Sequence, residues 1–205
     1  GVHALYQVAH LEARTMLAPH VLRMKLNDLL PADVNILDVD KADPRFHARH
    51  HAISRSYIYQ ICRRRTAFGK RYVWWIKDRL DVEAMKGACR VFEGFHDFRS
   101  FTQDDPEEKS TTVELQSCTI AEFGPLLVLN IRGSHFLWRM VRQMVGMIAE
   151  CGRGTTTPDQ LRELLKRASS LPATKTAPPS GLFLHHVQYT KDEPLPPVQP
   201  TILIP

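Results

Sequence analysis

The sequence is poor in cysteine, with four in 205 residues, and Cys62, Cys89, Cys118 and Cys151 are too widely spaced for any Cys-x-x-Cys pair. That excludes a zinc knuckle and a redox dithiol motif, and predicts free, mostly buried thiols in a reducing compartment, cytoplasmic or organellar. Long apolar runs are also missing. Stretches such as "GPLLVLNI" fall well short of the roughly 20 residues that cross a bilayer, and no basic-then-apolar leader precedes them, so a soluble protein is expected. There is no glycine-rich dinucleotide fingerprint, no Walker loop, no G-x-S-x-G and no kinase signature. No cofactor is therefore indicated.

What is present is the composition of a globular protein: 43% hydrophobic and 24% charged residues, enough for one large domain or two small ones. The formal net charge of +5 suits a polyanionic partner. Its distribution is more telling, because Arg45, His47, Arg49, His50, His51 and Arg55 lie close together and Arg63, Arg64 and Arg65 follow. A solvated basic edge and a phosphate-tracking groove fit this pattern equally well.

Periodicity predicts a strand over residues 4 to 12, a helix over 19 to 30 opened by Pro19, and a strand in "DVNILDVDK". "SRSYIYQI" reads as a longer strand with one polar face, on which Tyr57 and Tyr59 share a side. "DVEAMKGACRVFEG" predicts a helix capped by Asp81 and closed by Gly94. Residues 103 to 111 form an acidic loop, and two strands meet at a Gly124-Pro125 hairpin. Residues 134 to 152 give the clearest helix, with Ser134 as its cap. Another helix begins at Thr157 and Pro158, and "GLFLHHVQY" is the last strand. The order predicts an α+β protein: two ferredoxin-like or RNP-like halves on a largely antiparallel sheet, helices on one face, the first half incomplete. The expected division is 1–61 as the remainder of an N-terminal subdomain, 62–190 as a C-terminal subdomain and 191–205 as a proline-rich tail.

On the helix over 134 to 152, Leu137, Met140, Val141, Met144, Val145 and Ile148 form an apolar stripe. His135, Arg139, Arg142 and Gly146 line a second face, where the glycine would admit another backbone. An arginine beside a buried face calls for a counter-charge or a phosphate, although a solvent-exposed arginine is the commoner case.

Six blocks in order, "GVHALYQVAHLE", "LNDLLPADVNILDV", "FHARHHAISRSYIYQI", "GFHDFRSF", "HFLWRMVRQMVGMIAECG" and "TAPPSGLFLHHVQY", resemble the TruA-type tRNA pseudouridine synthases over roughly residues 1 to 190. The resemblance implies a cofactor-free isomerase acting on uridine in the tRNA anticodon stem-loop, and a homodimer with one tRNA spanning both subunits. The family's essential aspartate lies in a block read as G-R-T-D-A-G-V-H, so it is expected just upstream of Gly1, and this chain alone is expected to be inactive. By the same resemblance Tyr57 stacks on the target base, Arg142 pairs with the aspartate and Leu182 walls the uracil pocket. His3, Arg49, Arg55 and Arg139 are candidate contacts to the tRNA backbone. Two rivals remain: a non-catalytic tRNA-binding protein of the same fold, and a ribonuclease using His47 and His50, against which counts that nothing in the sequence pairs those histidines at one site.

Overall fold

The computed structural model of the chain describes residues 2–104 and 110–204. The expected position of Gly1 and most of the expected acidic loop lie outside them. Two compact units divide the chain: Gly1–Gln7 with Ala52–Pro205, and Val8–His51.

The larger unit is built on one seven-stranded sheet. Its strands are β1 (His3–Ala4), β2 (Ser54–Cys62), β3 (Trp74–Trp75), β4 (Gly94–Asp97), β5 (Thr112–Phe123), β6 (Leu126–Gly133) and β7 (Leu182–Gln188). They lie in the order β1-β7-β2-β6-β5-β4, with β3 beside β2 off this path. The four long pairings are antiparallel. Only the two-residue strands β1 and β3 pair in parallel, with β7 and β2 respectively. The mixed α+β architecture on a mostly antiparallel sheet is as expected.

Helices cover one face. These are α2 (Val82–Phe92), α3 (Met140–Gly152) and α4 (Pro158–Lys166), with a short α5 (Leu171–Thr174) after them. Local chemistry starts two of them where the sequence predicts. The Asp81 carboxylate accepts from the Ala84 N–H, and Thr157 with Gln160 forms a reciprocal capping box behind Pro158. Tyr59 and Ile61 of β2, Leu127 and Leu129 of β6, Met85 and Phe92 of α2, and Met144 and Ile148 of α3 meet in the main core.

Three expectations that bear on the larger unit are corrected. First, β2 has no solvent-facing polar side, since its Ser54, Ser56 and Gln60 are all buried. The side away from Tyr57 and Tyr59, carrying Ile58 and Cys62, packs with Val73, Leu126 and Val128 against Ile204 from the proline-rich segment, which is therefore docked along the sheet. Buried Gln60 on that side donates to the Tyr72 carbonyl and accepts from the Thr201 N–H. Second, α3 begins at Met140, not at Ser134. The Ser134 hydroxyl bonds to the His135 ring, and the helix is preceded by Arg139 in the left-handed region at φ 60°. The expected two-faced helix is instead buried all round, with Arg142 its one residue outside the fully buried set. Third, the strand expected over 4 to 12 shrinks to His3–Ala4 within the described residues.

The smaller unit carries α1 (Pro19–Leu29), none of whose residues is buried. The strand expected in "DVNILDVDK" does not form. Its backbone is satisfied by α1 side chains instead: Asn27 bonds both the N–H and the C=O of Ile36, and Arg23 donates to the Leu37 carbonyl. A strand needs a neighbouring ladder, and these side chains take its place.

All four cysteines are free and buried. Burial, with the neighbouring Cys89 and Glu150, pushes the Cys151 thiol up to about 11. It stays protonated and unreactive at neutral pH.

Candidate active site

Strand register brings several of the expected residues to one part of the sheet. On β2, Tyr57 stands opposite Leu184 and Tyr59 opposite Leu182 of β7. Directly paired residues share a face, so Tyr57, Tyr59 and Leu182 all look toward the helices. Leu182 is buried in the main core. The Tyr57 ring meets Phe136 edge-on at 5.0 Å, in the extended stretch that leads into α3. Burial pushes the Tyr57 phenol up from its ordinary value against the opposing pull of Arg55, so the ring is neutral at physiological pH. Arg55, two residues earlier on the same face, donates to the Ser134 carbonyl at 2.9 Å. A slip of register occurs between Ser56 and Tyr57, a local irregularity of the kind that re-aims side chains at sites.

Arg142 enters from α3. Its Nε donates to the Ala177 carbonyl at 2.7 Å, and its own carbonyl accepts from the Ala177 N–H at 3.0 Å. The Tyr59 hydroxyl donates to the next carbonyl, that of Pro178, at 2.8 Å. Guanidinium and phenol thus pin consecutive residues of the strap that leads into β7 and Leu182. The strap approaches α3 at Gly146, where a Cβ would overlap the Lys175 carbonyl oxygen and lie 3.3 Å from the Ala177 nitrogen. The close backbone approach expected at this glycine is what the structure contains.

Burial lowers the Arg142 guanidinium from its ordinary value, Tyr59 partly opposes this, and Arg139 adds to it. Among the described residues no carboxylate lies within ion-pair distance of Arg142. A desolvated cation without a counter-charge is costly, and sites that will hold an anion keep such groups.

Further along α3, buried Glu150 accepts from Lys175 at 3.0 Å, from the Thr155 hydroxyl at 3.0 Å and from Arg153 at 2.6 Å. Burial alone would raise its carboxyl, but the bonds from Lys175, Thr155 and Arg153 outweigh it and hold the group below the usual carboxylate range. A carboxyl held low when folded stabilises the protein above its unfolded value, and that stabilisation disappears as pH falls through the lowered one. Glu150→Gln is therefore expected to lower Tm near neutrality, where the charged carboxylate stabilises, and to flatten the acid side of a plot of Tm against pH, below about pH 5, where wild type and variant converge. An unchanged acid limb would contradict this.

The remaining candidates are placed as follows. Arg139 caps α3, donates to Gln103 at 3.1 Å and lies 4.5 Å over the Trp138 ring. His3 sits on the other sheet face from Tyr57: it pairs with Phe183, packs at 4.9 Å from both the Tyr72 and Phe183 rings, and its Nε2 is 3.2 Å from the Arg71 carbonyl. Arg49 belongs to the smaller unit, exposed beside a cluster of histidines. There His47 lies 4.5 Å from His10 and 4.2 Å from His50, ring to ring, a convergence that the sequence did not suggest. The His47 Nδ1 accepts from the N–H groups of Arg49 and His50. Rings this close leave no space for a phosphate between an acid and a base, which argues against the ribonuclease reading. Among the described residues no group of three or more His, Cys, Asp or Glu side chains is placed to hold a metal, and no helix is long and apolar enough to cross a membrane.

Sequence reasoning did not single out Phe136, Trp138 or the anchoring role of the Tyr59 hydroxyl. The signal for Tyr59 was its position two residues from Tyr57 on one strand; for Trp138 it was an aromatic next to arginine just ahead of a helix.

Residues 88–190 match the family model for tRNA pseudouridine synthase, which sets the chain within that class of isomerases. Over 92% of its length the chain is 38% identical to tRNA pseudouridine synthase A of Geobacillus sp. (strain WCH70), covering 77% of that protein. It is 35% identical to the proteins of the same name from Ehrlichia chaffeensis and Moorella thermoacetica, covering 78% of each. The chain belongs to the tRNA pseudouridine synthase A (TruA) family.

Proposed function

We propose that this chain is the greater part of an enzyme that isomerises uridine to pseudouridine in the anticodon stem-loop of tRNA, without a cofactor. The observation that carries the reading is Arg142: a guanidinium fixed through Nε to the strap, beside Tyr59, with no carboxylate to pair it among the described residues. In the proposal that partner is the aspartate of the G-R-T-D-A-G-V-H block, supplied by residues before Gly1. Arg142 holds the acid ionised and oriented, Tyr57 stacks on the flipped uracil, and Leu182 keeps water from the detached base. The isomerisation breaks the C1′–N1 bond and makes C1′–C5, with a proton lost from C5 and one gained at N1. It is redox-neutral, so positioning and charge are what the protein must supply. His3, Arg49, Arg55 and Arg139 serve as contacts to the tRNA backbone.

A homodimer spanned by one tRNA, a cytoplasmic place of work, and ferredoxin-like halves divided near residue 61, with 191–205 as the tail, complete the proposal. They rest on the family resemblance.

The test compares this chain with a version extended upstream through the aspartate. The extended protein is expected to form pseudouridine in unmodified tRNA, and this chain to bind tRNA without turnover. Tyr57→Ala in the extended protein should abolish the reaction. Extended protein that binds tRNA but makes no pseudouridine would match the non-catalytic alternative and defeat the proposal.

A further inference from the structure

Trp138 is a large aromatic held in water. It is 54% exposed, although the helix that follows it is almost entirely buried. Nothing in the core requires it there, yet the backbone around it is firmly fixed. Its N–H donates to the Asp104 carboxylate at 2.9 Å and its carbonyl accepts from the Thr102 hydroxyl at 3.2 Å. The next residue, Arg139, adopts φ 60° and ψ 2°, and among the described residues it is the one non-glycine with positive φ. Such strain in a bulky residue persists only where surrounding contacts enforce it, and it collects at functional sites. Its product here is a stacked pair, with the guanidinium 4.5 Å from the indole centroid and tethered to Gln103. Two residues earlier, Phe136 touches the ring of Tyr57.

We infer that Trp138 and Arg139 form a platform for an unpaired nucleobase next to the target uridine, the indole stacking on the base and the guanidinium facing its phosphate. This deepens the proposed function and rests on it. Extruding one base deprives its neighbours of a stacking partner, and an exposed aromatic beside the extrusion site replaces what is lost. Stacking of this kind tolerates any base, because each has a π-face, and therefore suits an enzyme that meets different sequences around its target.

The other exposed tryptophan, Trp75, has Arg65 at the longer distance of 5.8 Å and lies on β3. It provides the internal control for a fluorescence experiment. The chain is titrated with an unmodified anticodon stem-loop RNA, reading tryptophan emission and Kd together. Wild type is expected to be quenched on binding. Trp138→Phe should lose most of that quench and keep Kd within about threefold, while Trp138→Ala should weaken binding by about tenfold with unchanged thermal unfolding. Arg139→Gly, which relieves the left-handed backbone, should unfold no earlier than wild type. It should bind more weakly and lower the slope of log K against log salt by about 0.7, one phosphate contact on a single strand. RNA binding by Trp138→Ala as tight as wild type, or full quenching in Trp138→Phe, overturns the platform while leaving the enzymatic reading intact. Wild type that binds no RNA overturns both.

Discussion

Arg142→Ala in the aspartate-bearing enzyme is expected to reduce single-turnover pseudouridine formation by about a hundred- to a thousandfold, the range seen when one preorganised donor is removed from a reacting centre. Desolvation is the cause. Burial already depresses this guanidinium, and its Nε is committed to Ala177, so the group is held in place before any anion arrives. Pairing it with a carboxylate restores the lost hydration. Removing it leaves the carboxylate uncompensated, at a cost that solvent screening keeps below the roughly 3–5 kcal/mol of a fully buried pair. Arg142→Lys is expected to rescue little, because a lysine cannot both donate to Ala177 and present a planar fork to a carboxylate. Stability should move little: in the chain without the aspartate, relief of a partly desolvated cation is offset by loss of the Nε bond to Ala177, so Arg142→Ala should unfold within about 4 °C of wild type. Retention of a tenth of the activity by Arg142→Ala would remove this residue from the mechanism.

The second large effect is predicted for Gly146→Ala, which adds one methyl where the Lys175 carbonyl already sits. Backbone cannot swing aside as a side chain can, so the strap over 175–177 must lift from α3. The paired bonds between Arg142 and Ala177 then fail together. Destabilisation of about 3 kcal/mol or more is expected, a fall in Tm of about 10 °C for a chain of this size. The same substitution at Gly87 in α2 is the contrast. There a Cβ would make ordinary contacts with Pro158 at 3.5 Å and the Arg90 guanidinium at 3.9 Å, and alanine's helix preference should raise stability slightly. If Gly146→Ala unfolds at the wild-type temperature, the close approach of strap and helix is not tight in solution.

Both predictions stand on residues that the sequence marks, and the reasons for success and failure differ by element. Asp81, Thr157 and Pro158 signal helix starts through bonds made within a few residues, so local pattern suffices for α2 and α4. Gly146 was legible because only glycine admits a backbone at that spacing along a helix. Ser134 misled because a cap residue competes with other local partners, and here the Asp104 and Thr102 side chains fix the backbone of Trp138 and delay the helix to Met140. The polar side of β2 is buried rather than solvated for a long-range reason. Gln60 is polar, but its partner Thr201 lies 141 residues away, and no periodicity on β2 can announce that. Within the site, family motifs marked Tyr57, Arg142 and Leu182, whereas Phe136 and Trp138 acquire meaning only once the turn before α3 folds.

The docking of the proline-rich segment bears on how the molecule responds to proteases. Val198, Ile202 and Ile204 lie against the sheet, and Gln60 holds the Thr201 backbone from the strand that carries Tyr57 and Tyr59 on its reverse side. The part of the proline-rich tail over 198–204 is thus held against the sheet, and cutting it there requires the segment to lift first. Cleavage there would uncover Ile58 and Val128 and relax the strand beneath the tyrosines, so a clipped preparation would lose rigidity on the helix-covered face through damage done to the opposite one.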